Sequence, residues 1–415
     1  MRSIQLIVDS YLCSACGACS SVCPKGAISY AETNIGRKHA VVSNDCIDCG
    51  ICQKSCPTLN YEELTEKIDD RFVGQVNGTY IGRATDNEIY RNSQSGGSCT
   101  ALLKHLFETQ RIDGAIVCRM EYGNVPVVKP VLITNANDLL QTQKSNYTQV
   151  PLLSILRETE NLKSVAMVGI PCQIEAIKSI QKNLHKYTNI KFFLGLICDR
   201  SLCGAIQDVY SKRLDGEQNS IKIGWRAKFI DGITPKSERY KNAPLIVYSK
   251  EGKHVKLSNI YRFALKDMFT PPKCRTCEDK LNALADVTLG DPWKMSGVDW
   301  ENGESLIISR TAVGQEIIDA CQRQNYISVR QASLSEVIKG QNIEQRRVST
   351  AKFKKAIEKI THETARHSSE VEKEINTLRC FQKDEQKSRR RIIRKALWTV
   401  RKEIIISKLK SIIRH

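Results

Sequence analysis

The chain has 415 residues, which is too long for one ordinary hydrophobic core and predicts two or three folded units. Its formal charge of +18 is concentrated in residues 387–415, where eleven Lys or Arg side chains accompany one acid, so the charge does not predict a nucleic-acid-binding protein. No apolar run approaches the roughly 18 residues that a membrane-spanning helix requires. We therefore expect a soluble or peripheral protein.

Two copies of the pattern C-x2-C-x2-C-x3-C-P lie within the first 57 residues. This spacing is typical of two 4Fe-4S clusters, because three thiolates wrap one cubane from a tight loop while the fourth cysteine ligates the cubane of the other copy. Gly17 and Gly50 follow the second cysteine of each copy and supply the permissive backbone that such a loop needs. The predicted ligand sets are Cys13, Cys16, Cys19 and Cys56 for one cluster, and Cys46, Cys49, Cys52 and Cys23 for the other.

A disulfide framework and a pair of zinc sites are the alternatives for these eight cysteines. Disulfide frameworks are typical of small secreted proteins, whereas this chain opens MRSIQLIVDS, with an early acid and no apolar signal region. Zinc sites usually combine two two-cysteine pairs rather than four cysteines in one short run before a proline. Iron–sulfur ligation is favoured over both, and reduced thiols with oxygen-sensitive cofactors point to the cytoplasm.

The first domain is predicted to be a ferredoxin-like unit over residues 1–62. The segment between its two cysteine copies predicts a β-hairpin, with Ile28 and Tyr30 facing Val41 and Val42 across a turn. A second domain is predicted over residues 78–340. In it, short apolar strands at 115–118, 165–168 and 192–197 alternate with helical patterns, which is typical of α/β or α+β proteins.

A turn-forming sequence of small residues, Ser95, Gly96 and Gly97, precedes a helical apolar pattern. Small residues at the start of a helix leave backbone N–H groups and the positive end of the helix dipole available, which suits a phosphate or another anion. An ordinary helix-entry turn has the same sequence signature. The residues alone therefore leave both interpretations open.

Four further cysteines come from three loops of the second domain. Cys172 follows a strand at the start of a helix, and Cys198 ends the next strand, so the two are expected at neighbouring strand ends. Cys274 and Cys277 form a two-cysteine turn after two prolines. Together the four predict a third 4Fe-4S cluster, with zinc and a metal-free set of thiols as the alternatives. The other cysteines are interpreted as structural: Cys99, Cys118, Cys203, Cys321 and Cys380.

The third predicted unit, residues 341–415, contains neither Gly nor Pro, which indicates a helical extension. Its last part places apolar residues three or four positions apart among basic ones. A basic amphipathic helix suits an anionic membrane surface, and packing on the protein's own body or on an acidic partner subunit is the alternative. The apolar positions are Ile393, Leu397, Val400, Ile404, Leu409 and Ile412, and the basic ones are Arg389, Arg390, Arg391, Lys395, Arg401 and Lys402.

Over residues 78–320, the order and spacing of several motifs resemble the beta subunit of coenzyme F420-reducing hydrogenase and dehydrogenase. The motifs are SGG with Thr100 and ALL, KSNY at 144–147, GIPCQIEAI at 169–177, GLIC at 195–198, CRTCEDK with ADVTLGD at 274–291, and GES before SRT at 303–311. The cysteine-rich unit in front resembles the arrangement in F420H2 dehydrogenase input subunits and in 7-hydroxymethyl chlorophyll a reductase. The resemblance implies an α+β protein: a ferredoxin-like two-cluster domain, a central α/β flavin-binding domain and a C-terminal helical extension.

The resemblance also implies FAD near the SGG loop and the KSNY segment, and a further cluster on the domain's own cysteines. In that segment Asn146 stands where the family usually has lysine, which puts the identity of the substrate in question, and Lys144 is a nearby substitute. Asp291 and Lys280 fall in matching motifs, but a surface ion pair or a loop cap accounts for them equally well. No catalytic residue is assigned. The positions that match the flavin motifs are Ser95, Gly96, Gly97, Thr100, Ser145 and Tyr147.

Three functions stay open at this stage. The first is a flavin and iron–sulfur oxidoreductase that uses coenzyme F420. The second is the same machinery with another substrate, for example in a polysaccharide pathway. The third is a non-catalytic electron-transfer adaptor. The expected partners are a redox protein or ferredoxin and a deazaflavin or other small redox substrate, without nucleic acid. Homo-oligomers and peripheral contact of the basic tail with the inner face of a membrane are further options.

Overall fold

The computed structural model describes residues 4–214, 221–228, 243–361 and 371–413. Residues 4–64 form a unit of short helices around a hairpin, here called the N-terminal module. In each cysteine copy the first two cysteines lie in a loop, the third lies in the short helix that follows, and the fourth comes after that helix. The elements of the module are α1 (Gln5–Asp9), α2 (Ala18–Val22), β1 (Ile28–Glu32), β2 (Lys38–Val42), α3 (Ile51–Lys54) and α4 (Pro57–Leu64).

The hairpin predicted between the cysteine copies is confirmed, but one of its cross-strand pairs was predicted wrongly. Ile28 lies opposite Val42, whereas Tyr30 lies opposite Ala40. Ile28 and Tyr30 are two positions apart and lie on one face of their strand. They therefore face residues that are also two positions apart on the partner strand, not the adjacent Val41 and Val42. The Tyr30 hydroxyl lies 3.3 Å from the Cys19 Sγ atom, which places this strand directly against the first cysteine copy.

The rest of the chain is built around a large mixed sheet, here called the central sheet. Its order across the described residues is β13-β3-β12-β11-β7-β6-β4-β5, and a small antiparallel sheet contains β10-β9-β8. The strands are β3 (Gly78–Ala84), β4 (Gly114–Glu121), β5 (Val127–Ile133), β6 (Val165–Gly169), β7 (Ile190–Leu196), β8 (Ile221–Gly224), β9 (Leu245–Ser249), β10 (His254–Leu257), β11 (Val287–Gly290), β12 (Ser305–Ser309) and β13 (Ile327–Gln331).

The centre of this sheet is parallel, because β4, β6, β7 and β11 run in one direction and the outer neighbours pair antiparallel. β4, β6 and β7 confirm the three apolar strands predicted from the sequence. In a parallel sheet the carboxyl ends of adjacent strands meet at one edge, which is where α/β proteins hold their ligands. The loops after β6 and β7 therefore start side by side.

Helices cover both faces of the central sheet. Along β4, Ala115 and Val117 pack on the face under α6 and α11, and Ile116 packs on the face under α7, as the alternation of strand side chains requires. The helices between residues 85 and 340 are α5 (Asn87–Asn92), α6 (Ser98–Glu108), α7 (Pro171–Leu184), α8 (Ala205–Ser211), α9 (Ile260–Leu265), α10 (Pro272–Arg275), α11 (Ala312–Arg323) and α12 (Leu334–Gly340), with 3₁₀ helices at Ala136–Thr142 and Leu152–Thr159.

The N-terminal module docks on the central domain through close backbone contacts. The Leu153 N–H donates to the Cys16 carbonyl at 2.9 Å, and the Gly204 N–H donates to the Gly36 carbonyl at 2.7 Å. A Cβ atom on Gly17 would lie 2.5 Å from the Ser154 nitrogen. Gly17 (φ +101°) thus serves the cluster loop, as predicted, and also lets the module approach the central domain.

The described part of residues 341–413 is helical, with α13 (Ile343–Thr361), α14 (Glu372–Glu385) and α15 (Arg389–Ile413). The last two helices fold back onto the body. Phe381, Ile393 and Val400 are buried in a cluster that also contains Trp225 and Tyr210 of the central domain. None of the helices in the described ranges is both long and apolar enough to cross a bilayer.

We expect Gly36→Ala to weaken module docking far more than Gly26→Ala. Both glycines have positive φ, which costs an alanine about 1 kcal/mol, but only at Gly36 would the new Cβ lie 2.3 Å from a backbone atom, the Ala205 nitrogen. Hydrogen exchange of the amides at 204–206 measures the contact. Exchange roughly a hundredfold faster in Gly36→Ala is expected. Equal exchange in the two variants would contradict the docking argument.

Candidate functional site

The four cysteines of the central domain converge at the carboxyl edge of the sheet. Cys172 lies in the first turn of α7, directly after β6, and Cys198 follows the adjacent strand β7. The Ser201 N–H, in the loop after Cys198, donates to the Cys274 Sγ atom at 3.4 Å. Desolvation raises the pKa of Cys198, and the neighbouring Cys274 and Cys277 raise it further. The predicted approach of Cys172 and Cys198 at neighbouring strand ends agrees with this arrangement.

This set also reaches the N-terminal module. Desolvation raises the pKa of Cys172, and Glu175, Cys16 and Cys198 raise it further, so a thiol of the first cysteine copy lies near the central set. Desolvation opposes a charge on Lys273, but Cys277, Glu175, Cys56 and Cys172 together raise its pKa above the ordinary value. The cationic side chain therefore stands between the two groups of thiols.

Within the module, the fourth cysteine of the second copy approaches the first copy. Cys13, Cys16, Cys19 and Cys56 are all buried. Desolvation raises the pKa of Cys16 to about 12, and Cys56 and Cys13 contribute to the shift. This neighbourhood agrees with the crossed ligand pattern expected for that set.

The second set reaches the surface. Desolvation raises the pKa of Cys52, with Cys46 and Cys49 contributing, and Cys49 is exposed. The Cys23 Sγ atom accepts the Ala27 N–H at 3.3 Å, and its place in this set stays a prediction. In the described part of the chain, no three His, Cys, Asp or Glu side chains are arranged to hold a single metal ion.

A cavity of about 1200 Å³ begins at the SGG loop and extends to Cys198. Five of the six positions matched to flavin motifs line it: Ser95, Gly97, Thr100, Ser145 and Tyr147. Cys99 and Cys118, interpreted as structural from the sequence, line it too, whereas Cys203 and Cys321 are fully buried in cores. The loops that carry the predicted sites therefore share one concave space.

Gly96 has a packing role at the same loop. Its N–H donates to the Ser305 Oγ atom at 3.0 Å, and a Cβ atom would lie 2.5 Å from the Gly82 carbonyl oxygen. Gly97 (φ +78°) then turns the chain into α6. Only glycine at 96 lets the loop lie this close to β3 and β12, so the first turn of α6 is aimed at the cavity.

Two buried donors next to this turn were missed by the sequence reasoning. The Ser98 Oγ and Gln94 Nε2 atoms are buried, and neither has a hydrogen-bond partner in the described ranges. Both residues line the cavity. Buried polar groups are normally hydrogen-bonded, so these two atoms indicate a ligand with acceptor groups at the start of the helix. Their place beside the SGG sequence was the only signal that could have singled them out.

Cations gather around the cavity. Lys144, in a left-handed conformation (φ +85°), lines it, and desolvation by the surrounding protein lowers its pKa to about 8. Desolvation also lowers the pKa of Lys228 to about 7, with Lys144 adding to the effect. Lys228 donates to the Ser95 carbonyl, and Arg226 pairs with Asp291, which in turn accepts from the Ser95 hydroxyl. No sequence motif indicated Arg226 and Lys228, because they come from the segment after β8.

Asn146 also lines the cavity, but its side chain is used within its own turn. Its side-chain oxygen accepts from the Thr148 N–H at 3.1 Å, and its amide donates to the Thr148 carbonyl at 2.9 Å. The residue therefore caps its own turn. Lys280, by contrast, is buried. Its ammonium donates to the Gln341 carbonyl and lies 3.6 Å from the Asp199 Oδ1 atom, so it is an interior group of the cavity wall.

Arg346 of α13 ties the loops of the central thiols together. Its guanidinium donates to the carbonyls of Cys274 at 2.7 Å, Asp199 at 3.0 Å and Cys277 at 3.2 Å, and the residue is 8% exposed. One buried side chain thus joins the two-cysteine turn to the loop after β7. No motif in the sequence had identified it.

Comparison with known families matches three regions of the chain. Residues 79–157 match the N-terminal domain, and residues 162–335 the C-terminal domain, of the coenzyme F420 hydrogenase/dehydrogenase beta subunit. Residues 12–60 match a 4Fe-4S dicluster domain. The matched ranges contain all twelve cysteines of the three predicted sets.

Two relatives illustrate the similarity. The chain is 30% identical over 376 residues to the coenzyme F420-dependent sulfite reductase of Methanocaldococcus jannaschii. This match covers 85% of this chain and 51% of that protein. It is 26% identical over 381 residues to one subunit of the F(420)H(2) dehydrogenase of Methanosarcina mazei, covering 89% of this chain and 99% of that relative. The chain thus spans about half the length of the sulfite reductase.

A solved structure shares the fold. It is a xenon-derivatised F420-reducing NiFe hydrogenase complex from Methanosarcina barkeri, and one of its chains superposes with a TM-score of 0.54. The sequence identity is 22%, and the match covers 71% of this chain and 96% of that one. At this identity the likeness concerns the fold alone.

Replacing Arg346 with Met should destabilise the protein strongly, because three partly buried carbonyls would lose a charged donor. We expect a loss of about 3 kcal/mol in the free energy of unfolding, read from urea unfolding of anaerobically prepared protein by circular dichroism. The adjacent Arg347 is the control, since its ion pairs with Asp70 and Glu344 are more exposed. Arg347→Met should cost less than about 1 kcal/mol. Similar losses in both variants would contradict this role of Arg346.

Proposed function

Because the chain belongs to the coenzyme F420 hydrogenase/dehydrogenase beta-subunit family and carries a 4Fe-4S dicluster domain in front of it, we propose that it is an iron–sulfur flavoprotein oxidoreductase. In this proposal FAD binds in the cavity, and coenzyme F420 is its two-electron partner. A third 4Fe-4S cluster on Cys172, Cys198, Cys274 and Cys277 connects the cavity to the two clusters of the module.

The observation that supports this proposal best is the continuous series of redox-capable positions. Cys198 lines the cavity, Cys172 lies near Cys16, and Cys49 is exposed at the far end of the module. An electron that enters at the cavity would thus meet thiol sets at successive positions up to the surface. We infer that a redox protein or ferredoxin exchanges electrons at the exposed end.

The cavity fits a flavin dinucleotide in size and in chemistry. Its volume of about 1200 Å³ exceeds that of most small-molecule pockets, which hold roughly 300–1000 Å³. The Ser98 and Gln94 donors and the first turn of α6 suit a diphosphate, which prefers a helix N-terminus. Bound FAD would supply hydride chemistry on one side and single-electron exchange with clusters on the other.

The chain's own residues would position and shield this chemistry. Ser95 is fixed at its hydroxyl by Asp291 and at its carbonyl by Lys228, so the loop next to the cofactor is held at two points. The Tyr147 ring packs edge-on against the buried Trp225, with ring centroids 5.3 Å apart, and closes the cavity toward the core. These contacts fix the loops rather than donate or remove protons.

A second candidate is the same machinery with a substrate other than F420. The observation that favours it is Asn146, whose amide is used within its own turn, so the cation at that motif position is absent. The third candidate is a non-catalytic adaptor. The three are separated by protein purified without oxygen. Lack of FAD after denaturation would exclude both enzymes, and flavin that stays oxidised on addition of reduced F420 would exclude the first.

Cys274→Ser should remove one cluster. We expect about twelve irons per chain in the wild type and about eight in the variant, since each cubane contains four. Iron and zinc are measured together on anaerobically reconstituted protein. Cys380→Ser, at an exposed cysteine outside the three sets, is the control and should keep about twelve. An unchanged iron count in Cys274→Ser, or one zinc per chain with about eight irons in the wild type, would refute the third cluster.

Lys144 should make flavin binding dependent on pH. A bound anion should raise the pKa of Lys144 above its value of about 8, so binding above pH 8 takes up a proton and weakens as the pH rises. Lys228, with a pKa of about 7, adds a shallower weakening that begins near pH 7. In Lys144→Met we expect affinity for FAD about tenfold lower at pH 7 and a flatter profile above pH 8 than in the wild type.

The matched control is Lys294→Met. Lys294 also lines the cavity, but it is exposed and its ammonium donates to the Asn342 side-chain oxygen at 2.9 Å. This variant should keep the wild-type pH profile. A profile that is equally steep in Lys144→Met and in the wild type would show that another group titrates.

A further inference from the structure

Helix α15 has two apolar faces, of which the protein covers only one. The covered face contains Ile393, Ala396 and Val400, at 6%, 0% and 1% exposure, and packs against α8 and α9. The sequence pattern of a basic amphipathic helix is therefore partly explained by packing on the body. Four of the six apolar positions predicted from the sequence thus pack on the protein's own body, which was the alternative to a membrane surface. Ile393 and Val400 lie in the buried cluster, and Leu397 and Ile404 border it.

The second face carries Trp398, Ile405 and Leu409, here called the outer stripe. Their exposures are 63%, 59% and 53%. At 3.6 residues per turn the three side chains fall within about 40° of one another and lie about 165° from the centre of the covered face. The stripe is about 16 Å long. Three large exposed apolar groups in a row on one helix mark an interaction surface rather than scattered surface hydrophobes.

Basic side chains border the outer stripe. Arg394, Arg401, Lys402 and Lys408 lie within about 80° of it, and no ion pair joins them to an acid within the described ranges. The Lys402 ammonium lies 5.6 Å from the centroid of the Trp398 ring. The ion pairs of this region involve other cations. Lys387 and Lys395 pair with Asp384 of α14, and Arg389 pairs with Asp208 and Glu32 of the body.

We propose that the outer stripe of α15 binds the surface of an anionic lipid bilayer. The helix then lies in the interface, with Trp398, Ile405 and Leu409 entering the boundary between headgroups and acyl chains and the four cations on the headgroups. A tryptophan ring is suited to that depth, and long Lys and Arg side chains reach phosphates while their stems stay apolar.

A bilayer fits this surface better than an acidic protein does. The stripe is one side chain wide, with Arg394, Arg401 and Lys408 along one side and Lys402 on the other. A protein interface is more often a broader patch whose apolar centre is depleted of charge. Glu403, the one acid in residues 387–415, lies about 140° from Trp398 and so points away from the lipid. The redox proposal is independent of this surface.

The test is cosedimentation of the full anaerobic protein with vesicles. Vesicles of phosphatidylcholine with about one-third phosphatidylglycerol should bind the protein, and pure phosphatidylcholine should not. Binding should weaken as salt is added. The triple variant Arg401→Gln, Lys402→Gln, Lys408→Gln should lower the partition coefficient by roughly a hundredfold, and Ile405→Ser with Leu409→Ser by at least about tenfold.

The matched control removes three exposed charges from neighbouring helices, through Lys355→Gln, Lys373→Gln and Arg379→Gln. It should change the partition coefficient by less than about threefold. Tryptophan emission should shift to shorter wavelength on binding in the wild type, and Trp398→Phe should abolish the shift. Wild-type protein that stays in solution with anionic vesicles at low salt, or equal losses in the two triple variants, would overturn the proposal.

Discussion

The close backbone contact between the N-terminal module and the carboxyl edge of the central sheet is the constraint on which the rest of the site depends. The Cys16 carbonyl accepts a hydrogen bond from the Leu153 N–H at 2.9 Å, and Gly17 leaves no room for a side chain against Ser154. A protein's part in redox chemistry is to hold its cofactors in fixed relation to each other. Here the position of the module on the central domain is set by main-chain atoms, which tolerate little displacement.

Bringing the two groups of thiols together concentrates buried charge between them. Glu175 and Asp279 are buried there, and desolvation raises the pKa of both carboxyl groups. The Glu175 Oε1 atom and the Tyr61 hydroxyl have no hydrogen-bond partner in the described part of the chain. Isolated buried charges are unfavourable, so Lys273 stabilises this region by standing between the acids and the thiols. The junction thus combines one buried cation with two buried carboxyl groups and the surrounding thiols.

The sequence predicted the parts of this arrangement that local rules determine. The strand before Cys172 and the helix that begins at Pro171 follow from apolar runs and from proline's preference for the first turn. The hairpin followed from its turn and its alternation. The convergence of Cys172 and Cys198 followed from a rule about adjacent parallel strands.

What the sequence could not predict came from distant segments. Arg226, Lys228 and Arg346 reach the site from outside its motifs, and only the fold brings them to Ser95 and to the two-cysteine turn. The two faces of α15 were likewise hidden. A helix with apolar side chains around much of its circumference shows periodicity, but periodicity alone does not tell which stripe the protein covers.

The Asn146 substitution illustrates the difference between a motif and a site. Read along the chain, it removes a lysine from a segment expected to contact the flavin or the substrate. In the folded protein both residues line the cavity, but Asn146 hydrogen-bonds within its own turn, whereas Lys144, in a left-handed conformation, is the cation of this segment. Moving a cation two residues along a tight turn can preserve the electrostatics of the cavity but not the geometry of a direct contact. An anionic ligand would therefore still be attracted, and its identity would be decided by which of its groups Lys144, rather than a lysine at 146, can reach.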